Sequence, residues 1–263
     1  MSTLDSIEVL YRDASLAVVA KPARLMMHDS ALARGEHDFA LDRLRRQFGQ
    51  RVHFAHRLDR ATSGCLLLAF DAETAGRLGR AFMAREIAKD YLAVGRGWPA
   101  EDHGLIDHPL DGGPGKPERK PARTAYQVLA RGELPLPSGG FPTSRFALLR
   151  CQPETGRFRQ IRRHLHHVGH HLIGDTSHGD GQRNRLFRSH LGVHRMLLHA
   201  WRLAFKHPDG DRRIAVAAPL DRDWQCVLDR FGWTLPDPTA LPIGEPDPSP
   251  PHHSGRSEPV VPT

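Results

Sequence analysis

The sequence predicts a mixed α+β fold in which strands outnumber helices. Several short segments alternate apolar and polar residues, as half-exposed antiparallel strands do. A few other segments carry apolar residues at helical spacing. The 263 residues, 39% of them hydrophobic, can bury a sizeable core as one large domain or two closely joined lobes. The predicted strands are 7–11, 16–20, 64–70, 91–96, 122–130, 145–152, 197–205 and 213–217.

Three segments predict helices. The first two follow acidic residues that can cap a helix, Asp38 and Asp71, and Gly49 can end the first. The third follows the turn at 153–156. The residues expected to face the core are Leu41, Leu44 and Phe48 in the first helix, Ala75, Leu78 and Phe82 in the second, and Ile161, Leu165 and Val168 in the third.

The beginning of the third helix is rich in arginine. Arg157, Arg159 and Arg162 lie at or near its amino-terminal end, where exposed backbone N–H groups and several arginines can bind an anion. Arg163 and His167 are expected to lie on a solvated basic face. Arg162 is next to an inward-facing position, so it is expected to have an internal partner.

Two segments fall outside this pattern of strands and helices. Segment 107–121 is rich in glycine and proline and predicts a loop or an excursion between two sheet regions. From residue 235 onward, prolines interrupt any regular structure and few large apolar residues remain. The sequence therefore predicts one domain over 1–234, followed by a disordered tail over 235–263.

The charge of the chain favours polyanionic partners such as nucleic acid. There are 37 Lys+Arg against 30 Asp+Glu, and the pI is near 9.8. Eight arginines lie between 157 and 195, where histidine is also frequent, and the planar guanidinium suits phosphate oxygens. The histidines suggest zinc, but the chain has no HExxH or CxxC motif and no acid at a fixed helical offset from a histidine pair. No metal is therefore expected.

Cysteine usage and hydropathy indicate the cell compartment. Cys65, Cys151 and Cys226 are odd in number, far apart and in or beside apolar runs, so they are expected to be reduced core residues. The first residues lack a basic segment followed by an apolar one, and no apolar stretch reaches a membrane-spanning length. We therefore expect a soluble, cytoplasmic protein without membrane association.

The run HRLDRATSG at 56–64 is the most informative feature of the sequence. It places one acid, Asp59, among cationic or potentially cationic side chains. The continuous hydrophobic run at 65–70 follows and predicts a strand buried on both faces, which would hold the preceding turn rigidly. Two interpretations are open at this point: a positioned, reactive acid, or a structural Asp59 that pairs with Arg57 or Arg60.

This run resembles the catalytic motif of the RluA-type pseudouridine synthases. Four further motifs of that family follow the same order along the chain, and the resemblance covers roughly residues 5 to 232. It implies a pseudouridine synthase catalytic domain, with a central, mostly antiparallel sheet, flanking helices and an RNA-binding cleft. The further motifs are VVAKP at 18–22, KDY at 89–91, TGRFRQIR at 155–162 and LHA at 198–200.

The resemblance implies roles for four residues. Asp59 is the catalytic carboxylate, which either attacks the flipped uridine or removes a ribose proton to release the base. Arg162 is the cation that keeps Asp59 ionised. Arg57 fills the gap that the flipped nucleotide leaves in the base stack, and Tyr91 contacts the base in the pocket.

Further residues are expected to contact RNA. Lys21 and Lys89 are expected to hold either phosphates or the fold. No cofactor is needed because substrate and product are isomers, and no obligatory metal or protein partner is inferred. The remaining residues expected to contact RNA are Arg60, Arg157, Arg159 and Arg163.

Within the family, the chain is most similar to the tRNA-modifying TruC branch, which implies uridine 65 in the T-arm stem of tRNA as the target. The alternatives left open are the same reaction on ribosomal RNA and an RNA-binding protein without chemistry. Three residues depart from the family pattern: Arg24 replaces a frequent glycine, Arg159 a usual histidine and His171 a frequent proline. These departures affect the expected loop geometry near Arg24 and the RNA contacts near Arg159.

Overall fold

The computed structural model describes residues 6–29 and 38–239. Its helices are α1 (Ala40–Phe48), α2 (Ala72–Met83), α3 (Gln160–His167), α4 (Gly181–Leu191) and α5 (Arg222–Phe231). Its strands are β1 (Glu8–Arg12), β2 (Leu16–Lys21), β3 (His53–Phe54), β4 (Ser63–Ala69), β5 (Ala88–Arg96), β6 (His103–Asp107), β7 (Leu110–Asp111), β8 (Arg119–Lys120), β9 (Arg123–Leu134), β10 (Ser144–Pro153), β11 (Leu198–Lys206) and β12 (Arg213–Ala217).

Ten of these strands form one sheet. The order is β1-β2-β4-β11-β5-β10-β9-β6, with β12 paired to β11 and β3 paired to β4. Only the contact between β4 and β11 is parallel among the described pairs. The α+β prediction with a mostly antiparallel sheet is confirmed, and a strand is present at each of the eight predicted places. In segment 107–121, β7 and β8 form a separate two-stranded sheet, so this segment is an excursion from the main sheet.

The half of the sheet that contains β4 is covered on both faces. Leu66 and Leu68 pack in a cluster with Leu44 of α1, whereas Leu67 packs in a second cluster with Leu78 of α2. Each of these leucines is buried, which stabilises the fold by about 1.5–3 kcal/mol per side chain. The uninterrupted apolar run predicted this two-sided burial, and the structure confirms it.

The other half of the sheet is covered in the same way. Leu148 of β10 lies in a cluster with Phe187 of α4 and Trp224 of α5. Leu149, the next residue, lies in a cluster with Leu165 of α3. The opposite faces of β10 therefore carry α3 on one side and α4 with α5 on the other.

The predicted helix ends are partly correct. The Asp71 side chain accepts a hydrogen bond from the backbone N–H of Thr74 and caps α2, and Gly49 ends α1 with φ of 68°. The prediction for Asp38 is wrong: Phe39 is at the N-cap, and Asp38 accepts from the Arg43 side chain instead.

Two core assignments are wrong. Val168 is 39% exposed because α3 ends at His167, one residue before it. Cys226 is exposed on α5, where the next residue, Val227, faces the core. The other two cysteines are free and buried, as predicted.

Helices α4 and α5 were not predicted. Both begin at a capping aspartate, Asp180 and Asp221, and both end at a glycine in the left-handed region. In α4, however, the buried positions include Arg183 and Asn184, so the apolar pattern that indicates a helix is weakened. The tertiary contacts of these polar side chains explain why they lie inward.

The first residues of the predicted tail contact the domain. Leu235 packs against the cluster around Trp224, and the carbonyl of Pro238 accepts a hydrogen bond from Arg202. The rest of the predicted tail, 240–263, lies outside the described residues.

Candidate active site

The structure brings Asp59 and Arg162 together, although they are far apart in the sequence. Asp59 lies in the loop that leads into β4, and Arg162 lies in the first turn of α3. Arg162 Nη1 donates to Asp59 Oδ2 at 2.9 Å. The arginine side chain is 7% exposed and the aspartate side chain 28% exposed. The predicted internal partner of Arg162 is therefore present, and the carboxylate beside it can be reached from solvent.

A second carboxylate, Asp175, holds the other side of Arg162. Arg162 Nε donates to Asp175 Oδ2 at 2.7 Å, and Nη2 donates to Asp175 Oδ1 at 2.8 Å. The Asp175 side chain is fully buried and also accepts from the backbone N–H groups of Ser177 and His178. Asn184 of α4 holds this turn, since it bonds both the Asp175 carbonyl and the Gly174 N–H. The two hydrogen bonds from Arg162 to Asp175 together fix the plane of the guanidinium.

The two pKa shifts in this triad have opposite directions. Burial by itself raises the pKa of Asp175, but the hydrogen bonds from Arg162 and the backbone lower it by more, so it lies below its ordinary value. Burial lowers the pKa of Arg162, and the two carboxylates more than offset that effect. Arg162 thus stays charged between two acids. In the described part of the chain, Oδ1 of Asp59 accepts no hydrogen bond, so one carboxylate oxygen is available to a substrate.

Sequence reasoning missed Asp175. The only signal was an acid after a glycine in the segment that follows α3, and such a pair is common in turns. Its function depends on a contact across 13 residues that no local pattern shows.

Lys21 supports the loop that carries Asp59. Its buried ammonium group donates to the carbonyls of Pro22 at 2.9 Å, Arg60 at 3.2 Å and Thr62 at 2.8 Å. Thr62 N–H in turn donates to the carbonyl of Asp59 at 3.0 Å. All three ammonium donors are used, so this geometry supports the expectation that Lys21 holds the fold and not the expectation that it binds phosphate. Burial and the charge of Arg195 lower the pKa of Lys21 to about 7.

The strand after this loop makes an unusually close contact with β11. Gly64 has φ of 111°, and a Cβ atom there would lie 2.1 Å from the carbonyl oxygen of Ala200. Only glycine fits this position of the parallel pair. This contact explains why the motifs at 56–64 and 198–200 occur together: they form two sides of one packed junction.

A buried hydrogen-bond network continues from this junction. Arg195 donates to Ser63 Oγ at 2.7 Å, and the Ser63 hydroxyl donates to His199 Nδ1, also at 2.7 Å, because the Ala218 carbonyl beside His199 Nε2 can only accept. His199 Nε2 then carries the proton and donates to the Ala218 carbonyl at 3.3 Å. Burial lowers the pKa of His199 to about 4, which is consistent with this neutral form.

Tyr91 lies next to the same junction, since it pairs with Ala200 in the sheet. Burial raises the pKa of its phenol, and the charge of the nearby Asp59 raises it further. The phenol is therefore neutral. Lys89, two residues earlier, packs with its ammonium group 5.8 Å from the Phe82 ring centroid. Burial and the charge of Arg85 lower the pKa of Lys89 to about 8.

Arg57 and Arg60 extend from the loop at 56–64. Both are exposed, and Arg57 makes no hydrogen bond or ion pair with the described residues. Arg60 Nε donates to the carbonyl of Arg24 at 3.1 Å. Arg24 has φ of 68°, the conformation that favours the glycine frequent in the family, and its guanidinium donates to the His194 carbonyl at 2.7 Å. The loop geometry is therefore kept despite the arginine.

The arginines near α3 differ in their surroundings. Arg157 donates to the Pro121 carbonyl at 3.1 Å, and Arg163 forms an ion pair with Asp111 at 2.6 Å. Both therefore connect α3 to the excursion at 107–121. Arg159 is at the N-cap of α3 with φ of 50°, and its guanidinium lies 4.8 Å from the Phe158 ring centroid.

One expectation for the outer face of α3 is wrong. The expected solvated basic face is absent at Arg163, whose side chain is largely buried in its pair with Asp111. His167 is exposed, as expected, and its ring also stacks on that of His108 at 3.7 Å between centroids. Both residues contact the excursion at 107–121, which a pattern confined to the helix cannot reveal.

Metal ligands and membrane spans were searched in the described part of the chain. No group of three or more His, Cys, Asp and Glu side chains there could hold a metal ion. His166, His171 and His178 do lie close together, with ring centroids 4.5 Å and 6.1 Å from His166. None of the helices between residues 6 and 239 that the structure describes is both long and apolar enough to cross a membrane.

Comparison with known proteins identifies the family. The model of the RNA pseudouridylate synthase family matches residues 15–167, a range that includes the loop at 56–64, Tyr91 and Arg162. The chain belongs to this family. It is therefore an isomerase that acts on uridine in RNA, as the motif at 56–64 predicted.

Individual relatives align with this chain over most of its length. The tRNA pseudouridine synthase C of Vibrio cholerae is 42% identical over 236 residues, which cover 86% of this chain and 96% of the relative. The protein of the same name from Salmonella typhi is 41% identical over 242 residues, covering 88% and 93%. The structure of human RNA pseudouridylate synthase domain containing 1 superimposes with a TM-score of 0.64 and 26% identity, covering 94% and 99%.

Proposed function

We propose that this protein converts uridine to pseudouridine in tRNA, at uridine 65 of the T-arm stem. The Asp59 to Arg162 pair is the observation that carries the chemistry, because it presents a carboxylate with one unpaired oxygen, partly exposed beside a buried arginine. The names of the relatives above, which are tRNA pseudouridine synthases, support tRNA as the substrate.

The isomerisation exchanges one glycosidic bond for another. The bond between ribose C1′ and uracil N1 breaks, the uracil turns, and C1′ bonds to C5. The proton on C5 is lost and N1 gains one, so no electrons or atoms are exchanged with a cofactor. Asp59 begins this sequence, either by nucleophilic attack or by removal of a ribose proton. Both routes need the ionised carboxylate that Arg162 favours.

The surrounding residues have positioning roles in this proposal. Arg57, exposed on the loop and without an ion pair to any described residue, enters the base stack when the nucleotide is extruded. Tyr91 packs its neutral ring against the base in the pocket. Arg60, Lys89, Arg157, Arg159 and Arg163 lie on the segments around Asp59 and α3 that the RNA would approach.

We infer the need for partners, the cell compartment and the domain bounds from the same structure. Asp59, Tyr91 and Arg162 come from one chain, so catalysis needs no protein partner. The three cysteines are free, which supports the reducing cytoplasm as the location. We assign the catalytic domain to residues 1–234, against which the first residues of the predicted tail, 235–239, also pack.

The substrate can be tested by mapping pseudouridine in total RNA from cells with and without the gene. We expect loss of the modification at position 65 of tRNA and its return when the wild-type gene is restored. A loss confined to ribosomal RNA would contradict tRNA as the substrate.

The position can be tested with purified protein. A tRNA transcript with uridine at position 65 should be converted, and the same transcript with cytidine at that position should not. Conversion that is equal in both transcripts would show that another uridine is the target.

A further inference from the structure

A groove lies between the β9–β10 hairpin and helix α4, away from Asp59. Its volume is about 760 Å³. Ser144, at the hairpin end of β10, is seven residues from Cys151, which pairs with Tyr91 in the sheet, so the hairpin lies about 24 Å along the strand from the level of Tyr91. The site described above uses none of the residues that line this groove.

The turn of the hairpin holds an aromatic side chain in solvent. Phe141 is 67% exposed, whereas most large apolar residues of this protein are buried. Its backbone exchanges both hydrogen bonds with Ser138 across Gly139 and Gly140, which have φ of 61° and 83°. Positive φ at both central positions is the geometry of a tight type I′ turn. Phe141 is therefore presented on an ordered backbone.

The turn is fastened to α4. Arg183 of that helix donates to the Ser138 carbonyl at 3.3 Å and forms an ion pair with Asp180, its N-cap. Ser144 Oγ donates to the Leu136 carbonyl at 2.8 Å and fixes the base of the hairpin. These contacts make the groove a built feature of the fold.

The groove carries positive charge and no lining carboxylate. Arg185 lines it, Arg188 is exposed one turn further along α4, and neither guanidinium has an ion pair with a described residue. The acids nearest in sequence are engaged: Asp180 pairs with Arg183, and Glu133 accepts from Thr143 and Arg145. An exposed aromatic ring beside unpaired arginines is the arrangement that binds unpaired nucleic acid, because bases stack on the ring and phosphates pair with the guanidinium groups.

We propose that this groove binds an unpaired segment of the RNA substrate, remote from the target uridine, with a base stacked on Phe141 and phosphates at Arg185 and Arg188. This inference rests on the proposed function, because it assigns a second contact to the same substrate.

The decisive experiment compares two substrates. The double variant Arg185→Gln with Arg188→Gln should raise KM for a full-length tRNA transcript about tenfold and leave kcat unchanged. It should not change KM for an isolated T-arm hairpin, which lacks the remote segment. It should also reduce the salt dependence of KM for the tRNA by about two in the logarithmic slope. The matched control, Arg80→Gln with Arg230→Gln, removes two exposed helical arginines elsewhere and should behave as wild type.

The aromatic contact is tested separately. Phe141→Ala should raise KM for the tRNA about tenfold, and Phe141→Trp should restore it, because any flat ring can stack on a base. Binding of a fluorescent single-stranded oligoribonucleotide should weaken in Phe141→Ala and in the double variant.

The outcomes separate the two proposals. Wild-type protein that fails to modify tRNA would overturn the proposed function, and the oligoribonucleotide binding would still test the groove. Normal tRNA modification with unchanged KM in all groove variants would overturn only this inference. An equal loss on tRNA and hairpin, or a change from dimer to monomer in sedimentation of the variants, would also overturn it, since the groove would then support the fold or bind a second copy.

Discussion

The loop at 56–64 and the turn at 174–178 each supply one carboxylate to the same guanidinium, but the two carboxylates differ in almost every other respect. Asp59 makes a single contact with Arg162 and is 28% exposed, whereas Asp175 makes two and is fully buried. Asp175 also accepts from two backbone N–H groups. The same residue type thus occurs in two settings: a saturated, buried carboxylate orients the arginine, and an unsaturated, partly exposed one is the proposed reactive group.

The largest expected effect comes from Asp59→Asn. Loss of the carboxylate should reduce kcat by about a thousandfold or more, since the amide can neither attack nor accept the proton. The free energy of unfolding should change little, because Asn has a similar size and the site is partly exposed. Conversion of tRNA, tRNA binding and urea unfolding of the purified variant measure these three quantities. Retained conversion would exclude Asp59 as the reactive group.

Asp175→Asn should affect both stability and activity. The new amide group places N–H donors against the donors of Arg162 or of Ser177 and His178, so we expect a loss of about 3 kcal/mol in the free energy of unfolding. Displacement of the guanidinium should lower kcat by about a hundredfold. Urea unfolding and single-turnover kinetics test this prediction.

The control for Asp175 is the ion pair of Asp102 with Arg131, at 2.6 Å, in which the aspartate is exposed. Asp102→Asn should cost less than about 1 kcal/mol because exposed pairs contribute little. If Asp175→Asn and Asp102→Asn lower the free energy of unfolding equally, the burial of Asp175 does not account for its contribution to stability.

The loop at 56–64 is also held by the buried Lys21, and the pH dependence of the free energy of unfolding can test this contact. Burial lowers the pKa of Lys21 to about 7 in the folded protein, against an ordinary value of 10.5. Between these values the unfolded chain binds a proton that the folded protein does not, so stability rises with pH across that window. The free energy of unfolding of wild type, relative to Lys21→Met, should therefore increase from pH 7 to pH 10.5. The exposed Lys206→Met should show no such trend, and a flat difference for Lys21 would disprove the lowered pKa.

The smallest effect is expected from Arg57→Ala on the same loop. Because Arg57 is exposed and unpaired with the described residues, its removal should leave the thermal midpoint unchanged. KM for tRNA should rise about tenfold, since the extruded nucleotide loses the side chain that fills its place. A substrate with an unpaired nucleotide opposite the target should reduce the defect. A lower thermal midpoint without a change in KM would assign Arg57 to the fold.

Local patterns predicted a large share of the fold. The alternation or continuity of apolar residues placed all eight predicted strands, and the Asp71 cap and Gly49 stop were correct. The errors occurred where a side-chain contact overrides the local pattern. Asp38 bonds Arg43 in place of capping, and the polar residues on the buried face of α4 hid that helix.

The candidate catalytic acid was selected from the sequence, but its environment could not be predicted from it. The motif at 56–64 singled out Asp59, and the motif order indicated Arg162 as its partner. Nothing local indicated that Asp175 shares the guanidinium. The same holds for Lys21, whose three donors are taken by the backbone carbonyls of Pro22, Arg60 and Thr62.

The sequence by itself determined the class of fold and the family, and it singled out Asp59 as the candidate reactive acid, because strand periodicity and short motifs are written in neighbouring residues. The tertiary structure alone decided how that acid is held. It set the paired hydrogen bonds between Arg162 and Asp175, the three hydrogen bonds from Lys21 to backbone carbonyls, and the contact of Gly64 with Ala200. Each of these joins segments that are separated along the chain, and their distances are set by the packing of whole strands and helices. Hydrogen bonds act over about 3 Å, so only the assembled sheet can bring such groups into range.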